Sequence, residues 1–295
     1  MNLAVTVFEI VAPVFLLAGL GFAWVKLGFE YRIQFVTRLA MTVAVPCLIF
    51  VALMQADIAP GVLASLSYAT LATYVGITLA MLAFVTLARL DRQTYLAPMI
   101  FGNTGNLGLP LALFAFGTLG LNYAIVVFAL SAILTFSFGL WLVAGSNAGA
   151  IGKVGKEPMV WAAVLGGIFL WRGWETPTFL TNALDLIGQM GIPLMLITLG
   201  VAVARLNVGG AVRAVGLTLV KLAICAPIAW ATAAVFGLDD TALGILVLQS
   251  ATPVAVTSYL LAEKYGADAE SVAGLVVIST LTAVGSLPLV LAMVL

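Results

Sequence analysis

Between Gln93 and Gly152 the chain runs for 60 residues without one Asp, Glu, Lys or Arg. A run of that length has no hydrophilic face to offer water, whatever secondary structure it takes. A helix needs only about 20 mostly apolar residues to cross a bilayer core, so the run must fold back on itself at least once. Gly117-Thr-Leu-Gly120 is the turn that the spacing picks out. Residues 58–88 are equally free of charge, and over all 295 positions 63% are hydrophobic and 8% charged, with a mean hydropathy of +1.21. Soluble domains keep about a quarter of their residues charged to wet their surface. Lipid is therefore the solvent of this chain.

The remaining composition excludes several chemistries. Twelve basic residues balance twelve acidic ones, which gives no reason to expect nucleic acid or an acidic partner. Histidine is absent, and Cys47 and Cys225 sit inside apolar runs. A disulfide framework or a soft-metal site needs clustered Cys and His, so neither is expected. No cofactor is expected; a coupling ion, H⁺ or Na⁺, stays open. Without imidazole, proton-coupled chemistry would fall to a carboxylate or a lysine. Met1–Phe8 carries no basic flank and reads as the start of a first span rather than a cleavable signal.

Dividing every apolar run by the same rule predicts ten spans, at about 6–25, 34–55, 61–88, 94–117, 120–144, 158–173, 180–204, 210–236, 241–263 and 270–294. Ten spans put both termini on one side. On the other side fall Lys26, Arg32, Arg38, Arg89, Arg92, Lys153, Lys156, Arg205, Arg213 and Lys264, ten of the twelve basic residues. Arg172 alone lies on the terminal side, and Lys221 lies within a span. Basic loops stay in the cytoplasm. The expectation is a multi-pass protein of the cytoplasmic (inner) membrane with both termini outside.

Sliding the chain on itself by 147 residues lays Gly19, Phe22, Trp24, Leu39 and Pro46 on Gly166, Phe169, Trp171, Leu186 and Pro193. The same shift lays Gly102-Asn-Thr-Gly-Asn-Leu-Gly-Leu-Pro110 over Gln249-Ser-Ala-Thr-Pro-Val-Ala-Val-Thr257, the two most polar and helix-breaking stretches inside any span. Five spans per half is an odd number, so the second half must run upside down. The predicted fold class is all-α integral membrane: ten transmembrane helices as two inverted five-helix repeats, 1–147 and 148–295, with broken fourth and ninth helices. That arrangement is common in secondary transporters, whose sites lie at the broken helices.

Glycine costs about 1 kcal/mol in a helix interior and proline about 3 kcal/mol. Asn103, Thr104, Gly105, Asn106, Gly108 and Pro110 together make an unbroken fourth helix improbable. Pro110 and Pro253 each suit the first turn of the half-helix that follows. Asn103, Asn106, Gln249, Ser250 and Thr252 supply side-chain contacts beside free backbone N–H groups, which together make an anion site. The competing reading of plain Gly/Pro kinks fits one such segment as well as it fits a site; two in register favour a substrate site.

At these residues the sequence resembles the auxin efflux carrier family. The resemblance rests on 102–110 and is reinforced by Ser250-Ala-Thr-Pro253, Tyr259, Glu263 and Ser279-Thr280, and it covers essentially the whole chain. It implies a scaffold domain and a transport domain that interleave the repeats, with helices 4 and 9 crossing at mid-membrane. It also implies small organic anions as substrates: auxin in plants, malonate or related carboxylates in bacterial members. The more distant bile acid–sodium symporters share the fold. The long cytoplasmic loop of many plant carriers is missing, since 145–157 holds only a short linker, which favours a bacterial-type carrier over one for auxin.

Three more polar residues within spans are candidates for coupling or gating. Glu9 reads either as functional or as a side chain reaching the outer interface. Lys221 either pairs, gates or attracts an anion, or runs its stem to the cytoplasmic interface. Gln189, four residues before Pro193, is expected as a polar neighbour of the crossing. The function expected is a secondary transporter that moves a small mono- or dicarboxylate by alternating access. Its partners are that substrate and the lipid bilayer, with a homodimer left open. The alternatives are a sodium-coupled symporter of the bile acid type and a non-transporting membrane receptor. An intramembrane enzyme lacks the histidine or acidic pair it would need.

Overall fold

A computed structural model describes residues 3–56, 60–144, 158–205 and 211–295. Helices α1 (Leu3–Lys26), α2 (Ile33–Leu39), α3 (Val45–Met54), α4 (Pro60–Leu87), α5 (Arg92–Ile100), α6 (Leu109–Leu134) and α7 (Leu140–Ala144) make up the first part. The second comprises α8 (Pro158–Arg172), α9 (Thr178–Gln189), α10 (Gly191–Arg205), α11 (Ala211–Val235), α12 (Asp240–Ser250), α13 (Val256–Tyr265) and α14 (Ala269–Val294). The 145–157 connection, with Lys153 and Lys156, lies outside the described residues.

Among the described residues seven helices are individually long and apolar enough to cross a membrane. One of them, Thr104–Ala144, holds 41 residues, about 60 Å at ~1.5 Å per residue and twice a bilayer core. It is divided at Gly117, whose φ of 65° and ψ of −156° no helix contains. The expected Gly-Thr-Leu-Gly turn lies there. Three π-helical turns interrupt the α-helices, at Ala40–Ala44, Thr104–Gly108 and Thr135–Gly139. Single π turns of this kind tend to mark functional places.

Burial is inverted relative to a water-soluble protein. Phe8, Leu16, Trp171, Phe179, Leu289 and Met293 are exposed on the outside, while Thr70, Asn103, Thr104, Lys221, Gln249 and Thr252 are buried. The molecule is a multi-pass membrane protein, with several polar side chains of its helices turned inward. Inside it, helices pack in two groups. In one, α1 lies along α10, and α3 lies against α8 and α9. Gly21 and Gly200 bring backbones into contact there, since a Cβ on either would collide with the carbonyl of Ile197 or Ala18. In the other, α11 packs on α4, α12 and α14, and α13 packs on α14.

The short helices α5 and α12 each begin on an aspartate cap. Asp91 accepts from the Thr94 N–H at 2.7 Å and Asp239 from the Ala242 N–H at 2.8 Å. Helices of nine and eleven residues have little propagation to hold them, so the cap matters more here than in a long span. Asp239→Ala is expected to lower stability by about 1 kcal/mol, and Asp239→Asn by much less, measured by thermal unfolding in detergent.

Candidate functional site

The two helix-breaking stretches meet. After α5 the backbone leaves the helix over Phe101–Asn103, with Phe101 extended, and after α12 it is non-helical over 251–255. Gly102 and Val254 form an antiparallel bridge, and the Asn103 N–H donates to the Pro253 carbonyl at 2.7 Å. Gly102 is required there, because a Cβ would strike the Thr252 hydroxyl. The Val254 N–H donates to the Ser279 hydroxyl at 3.0 Å, so residue 279 of α14 braces the crossing. The Asn103 carbonyl accepts from the N–H groups of Leu107 (3.2 Å) and Gly108 (3.1 Å), closing the π turn that opens the following helix.

A cavity of about 750 Å³ reaches this crossing, lined by α2, α10 and α13, with Arg38 and Arg205 exposed at one end and Asn106 on its wall. A second, of about 270 Å³, continues past Asn106 and is lined by Gly102, Asn103, Thr104, Gly105, Ser131 and Thr135 among others. The two share Thr37, Met41, Asn106, Val256, Thr257 and Leu260. Together they lie between the two helix groups, in the size range of small-molecule sites. Two half-helix N-termini face them: Thr104–Asn106 ahead of α6, and Val256–Thr257 at the start of α13. The first N–H groups of a helix have no intrahelical partner, and the macrodipole makes that end positive. No acidic residue lines either cavity among the described residues.

Of the residues expected at a site, Asn103, Thr104, Gly105 and Asn106 are on the cavity wall. Gly108, Pro110, Gln249, Ser250, Thr252 and Pro253 are brought to the crossing but lie buried outside the cavity. Gln249 lies within α12, not in the break, and its carboxamide lies against Gly108 with neither Oε1 nor Nε2 hydrogen-bonded among the described residues. Asn103 Nδ2 is likewise buried without a partner. Lys221 does not run to an interface: it is 3% exposed and donates to the carbonyls of Met99 (2.9 Å) and Ile100 (3.4 Å), at the end of α5. Gln189 is exposed and donates to Asp185 at 2.8 Å, so the structure does not bring it to the crossing. Glu9 is exposed on α1 and lines neither cavity.

Sequence reasoning missed Thr37, Ser131, Thr135, Thr198 and Thr257, which supply most of the other hydroxyls of the cavities. It counted Arg38 and Arg205 on the basic side, and read Arg38 as a structural pair or interfacial anchor, without bringing either to a site. Arg205 donates to the Tyr31 carbonyl at 2.6 Å, which holds the 27–32 connection over α10. Burial pushes the Tyr31 phenol above its ordinary value, more than the Thr198 bond and the Arg205 charge lower it. It therefore stays protonated at neutral pH and keeps its 2.8 Å contact with the Thr198 hydroxyl.

The abutment of Gly108 and Gln249 gives a measurable coupling. Gly108→Ala is expected to cost roughly 1–3 kcal/mol by overpacking. Adding Gln249→Ala should recover much of it, a non-additive pair in thermal unfolding.

The family described as "Membrane transport protein" matches residues 6–154 and 150–291. An uncharacterized transporter of Methanothermobacter thermautotrophicus is 29% identical over 298 residues, covering 95% of this chain and 96% of that one. A probable auxin efflux carrier component 5b of Oryza sativa subsp. japonica is 30% identical over 150 residues, 47% of this chain and 39% of the rice protein. An uncharacterized transporter of Methanocaldococcus jannaschii is 24% identical over 190 residues, 61% of each chain. With a match that runs nearly end to end, the chain is a membrane transporter rather than an enzyme and belongs to the membrane transport protein family that includes the auxin efflux carriers.

Proposed function

We propose that this transporter is a secondary carrier for a small mono- or dicarboxylate, working by alternating access between two inverted five-helix repeats, 1–147 and 148–295. The observation that carries the reading is the pair of half-helix N-termini, Thr104–Asn106 and Val256–Thr257, facing one cavity with no acidic residue in its lining among the described residues. Such ends bind anions by oriented N–H groups and dipole, without needing a buried cation. Asn103, Thr104, Asn106 and Thr257 add side-chain contacts, and Arg38 and Arg205 at the far end favour entry of a negative solute.

Ten crossings follow from this reading when α2 with α3, α5 with the start of α6, α9 with α10, and α12 with α13 are each counted once, and Gly117 divides the rest of α6 into the fifth. Arg38 and Arg205 belong to the basic side, so the cavity opens to the cytoplasm and both termini lie outside the cytoplasmic membrane. The 147-residue shift then assigns the opposite state. The wall residues 102–106 and 255–257 map onto 249–253 and 108–110. Those are the residues now buried at the crossing. Rocking one helix group against the other would expose Gln249, Ser250, Thr252, Gly108 and Pro110 to the outside, and bury the present wall.

Counterflow of labelled mono- and dicarboxylates in proteoliposomes tests the reading. Hydrogen bonds to a charged group contribute about 1.5–3 kcal/mol, so Asn103→Ala and Ser250→Ala should each weaken apparent affinity roughly 10- to 100-fold. Wild-type transport by both variants would sink the assigned site. Thr252→Cys, in a chain lacking Cys47 and Cys225, should react with an impermeant thiol reagent only from outside, and Asn106→Cys only from the cytoplasmic side.

A further inference from the structure

Lys221 stands eleven residues into a 25-residue helix, 3% exposed, and the carrier reading above gives it no task. Its ammonium donates to two main-chain carbonyls, those of Met99 and Ile100, with the Cys225 thiol at 4.0 Å from the first. Among the described residues no acidic side chain pairs with it. The groups shown against it are those two carbonyls on α5 and Cys225 on its own helix α11; Tyr74 on α4, which stacks on Phe101 at 5.7 Å, lies near Cys225.

The carbonyls are available because of the crossing. In a continuous helix the Asn103 N–H would close on Met99, four residues back. Here it closes on Pro253 instead, and the Met99 carbonyl is left in the membrane interior facing Lys221. Carbonyls at the C-terminal end of a broken membrane helix carry negative dipole and are a coordination site for a monovalent cation. The second half does not leave the same opening. At the end of α12 the Ala251 N–H closes on the Val247 carbonyl at 2.9 Å, and the Thr252 hydroxyl closes on that of Gln249 at 2.7 Å. The position 147 residues before Lys221 is Tyr74, which carries no charge. One half closes two of its end carbonyls with its own chain, and the other has a cation delivered to two of its own.

We infer that the Lys221 ammonium is a tethered cation that fills a monovalent-cation site at the end of α5, so that the transporter needs no sodium at that place. Deleting the side chain down to Cβ opens the carbonyl pair to a small free cation of the same charge, either Na⁺ or methylammonium. The inference deepens the carrier reading by assigning its ion requirement, but its test needs no substrate.

The experiment compares thermal unfolding midpoints of the purified wild type and Lys221→Ala in chloride salts of sodium, methylammonium and bulky N-methyl-D-glucamine, at equal ionic strength. The wild type should unfold at one temperature in all three. Lys221→Ala should unfold several degrees lower in the bulky salt and regain most of the difference in methylammonium or sodium. A variant that unfolds at the same temperature in every salt overturns the inference, as does a wild type stabilised by sodium. A variant recovered folded only in methylammonium or sodium supports it; one that aggregates in all three overturns it. Because no carboxylate is present, failure of the anion assignment leaves this result untouched, and the reverse also holds.

Discussion

Inside a bilayer a main-chain N–H or C=O without a partner costs several kcal/mol, since no water reaches it. The hydrogen bond from the Asn103 N–H to the Pro253 carbonyl is where this chain meets that constraint. Two helices stop in the middle of the molecule, and each supplies part of what the other's open backbone lacks. The Gly102–Val254 bridge and the Ser279 hydroxyl on the Val254 N–H complete the closure. Neither break is stable without the other, so the crossing must be kept as a unit if the helices around it move. The cavity, its half-helix ends and the place of Lys221 all follow from that junction.

Close packing holds the two groups of helices that flank it. Gly21 and Gly200 let α1 and α10 touch backbone to backbone, and Gly166 brings α8 within 2.9 Å of the Leu53 Cβ position on α3, measured from where its own Cβ would stand. Such surfaces join by van der Waals contact, since lipid gives apolar side chains no hydrophobic incentive to leave it. The cavity lies between the two groups. A rigid group on each side of a gap is the mechanical requirement for rocking.

Much of this was legible in the sequence because helix-breaking residues are scarce inside membrane spans. Seven of the nine residues from Gly102 to Pro110 oppose a helix, and the break is there. Gly117 likewise marked its turn. Gln249 was placed in a break and lies instead at the end of α12, because glutamine is neutral toward a helix and its polarity says nothing about backbone. Gln189 was expected near the crossing from its distance to Pro193, but sequence spacing fixes the turn of the helix, not which neighbour that turn faces. Ser131 and Thr135 escaped notice because hydroxyls in apolar helices ordinarily bond the carbonyl four residues back, as Thr135 does to Ser131 at 2.7 Å. The π turns that aim Met41 and Phe136 at the cavity leave no compositional mark at all.

Three buried amide atoms, Asn103 Nδ2 and both ends of the Gln249 carboxamide, have no partner among the described residues. Each such atom costs about 1–3 kcal/mol, a sizeable share of the whole stability of a folded chain. A site shaped only for packing would carry apolar groups there. In the proposed cycle part of the cost has a use: the Asn103 Nδ2 donor is relieved by a carboxylate from the present cavity, and the Gln249 Nε2 donor by one from the opposite side. Neither state then satisfies every amide without substrate, which keeps the two states close in energy. A carrier needs that balance, because a conformation fully satisfied when empty would be a resting place rather than a step.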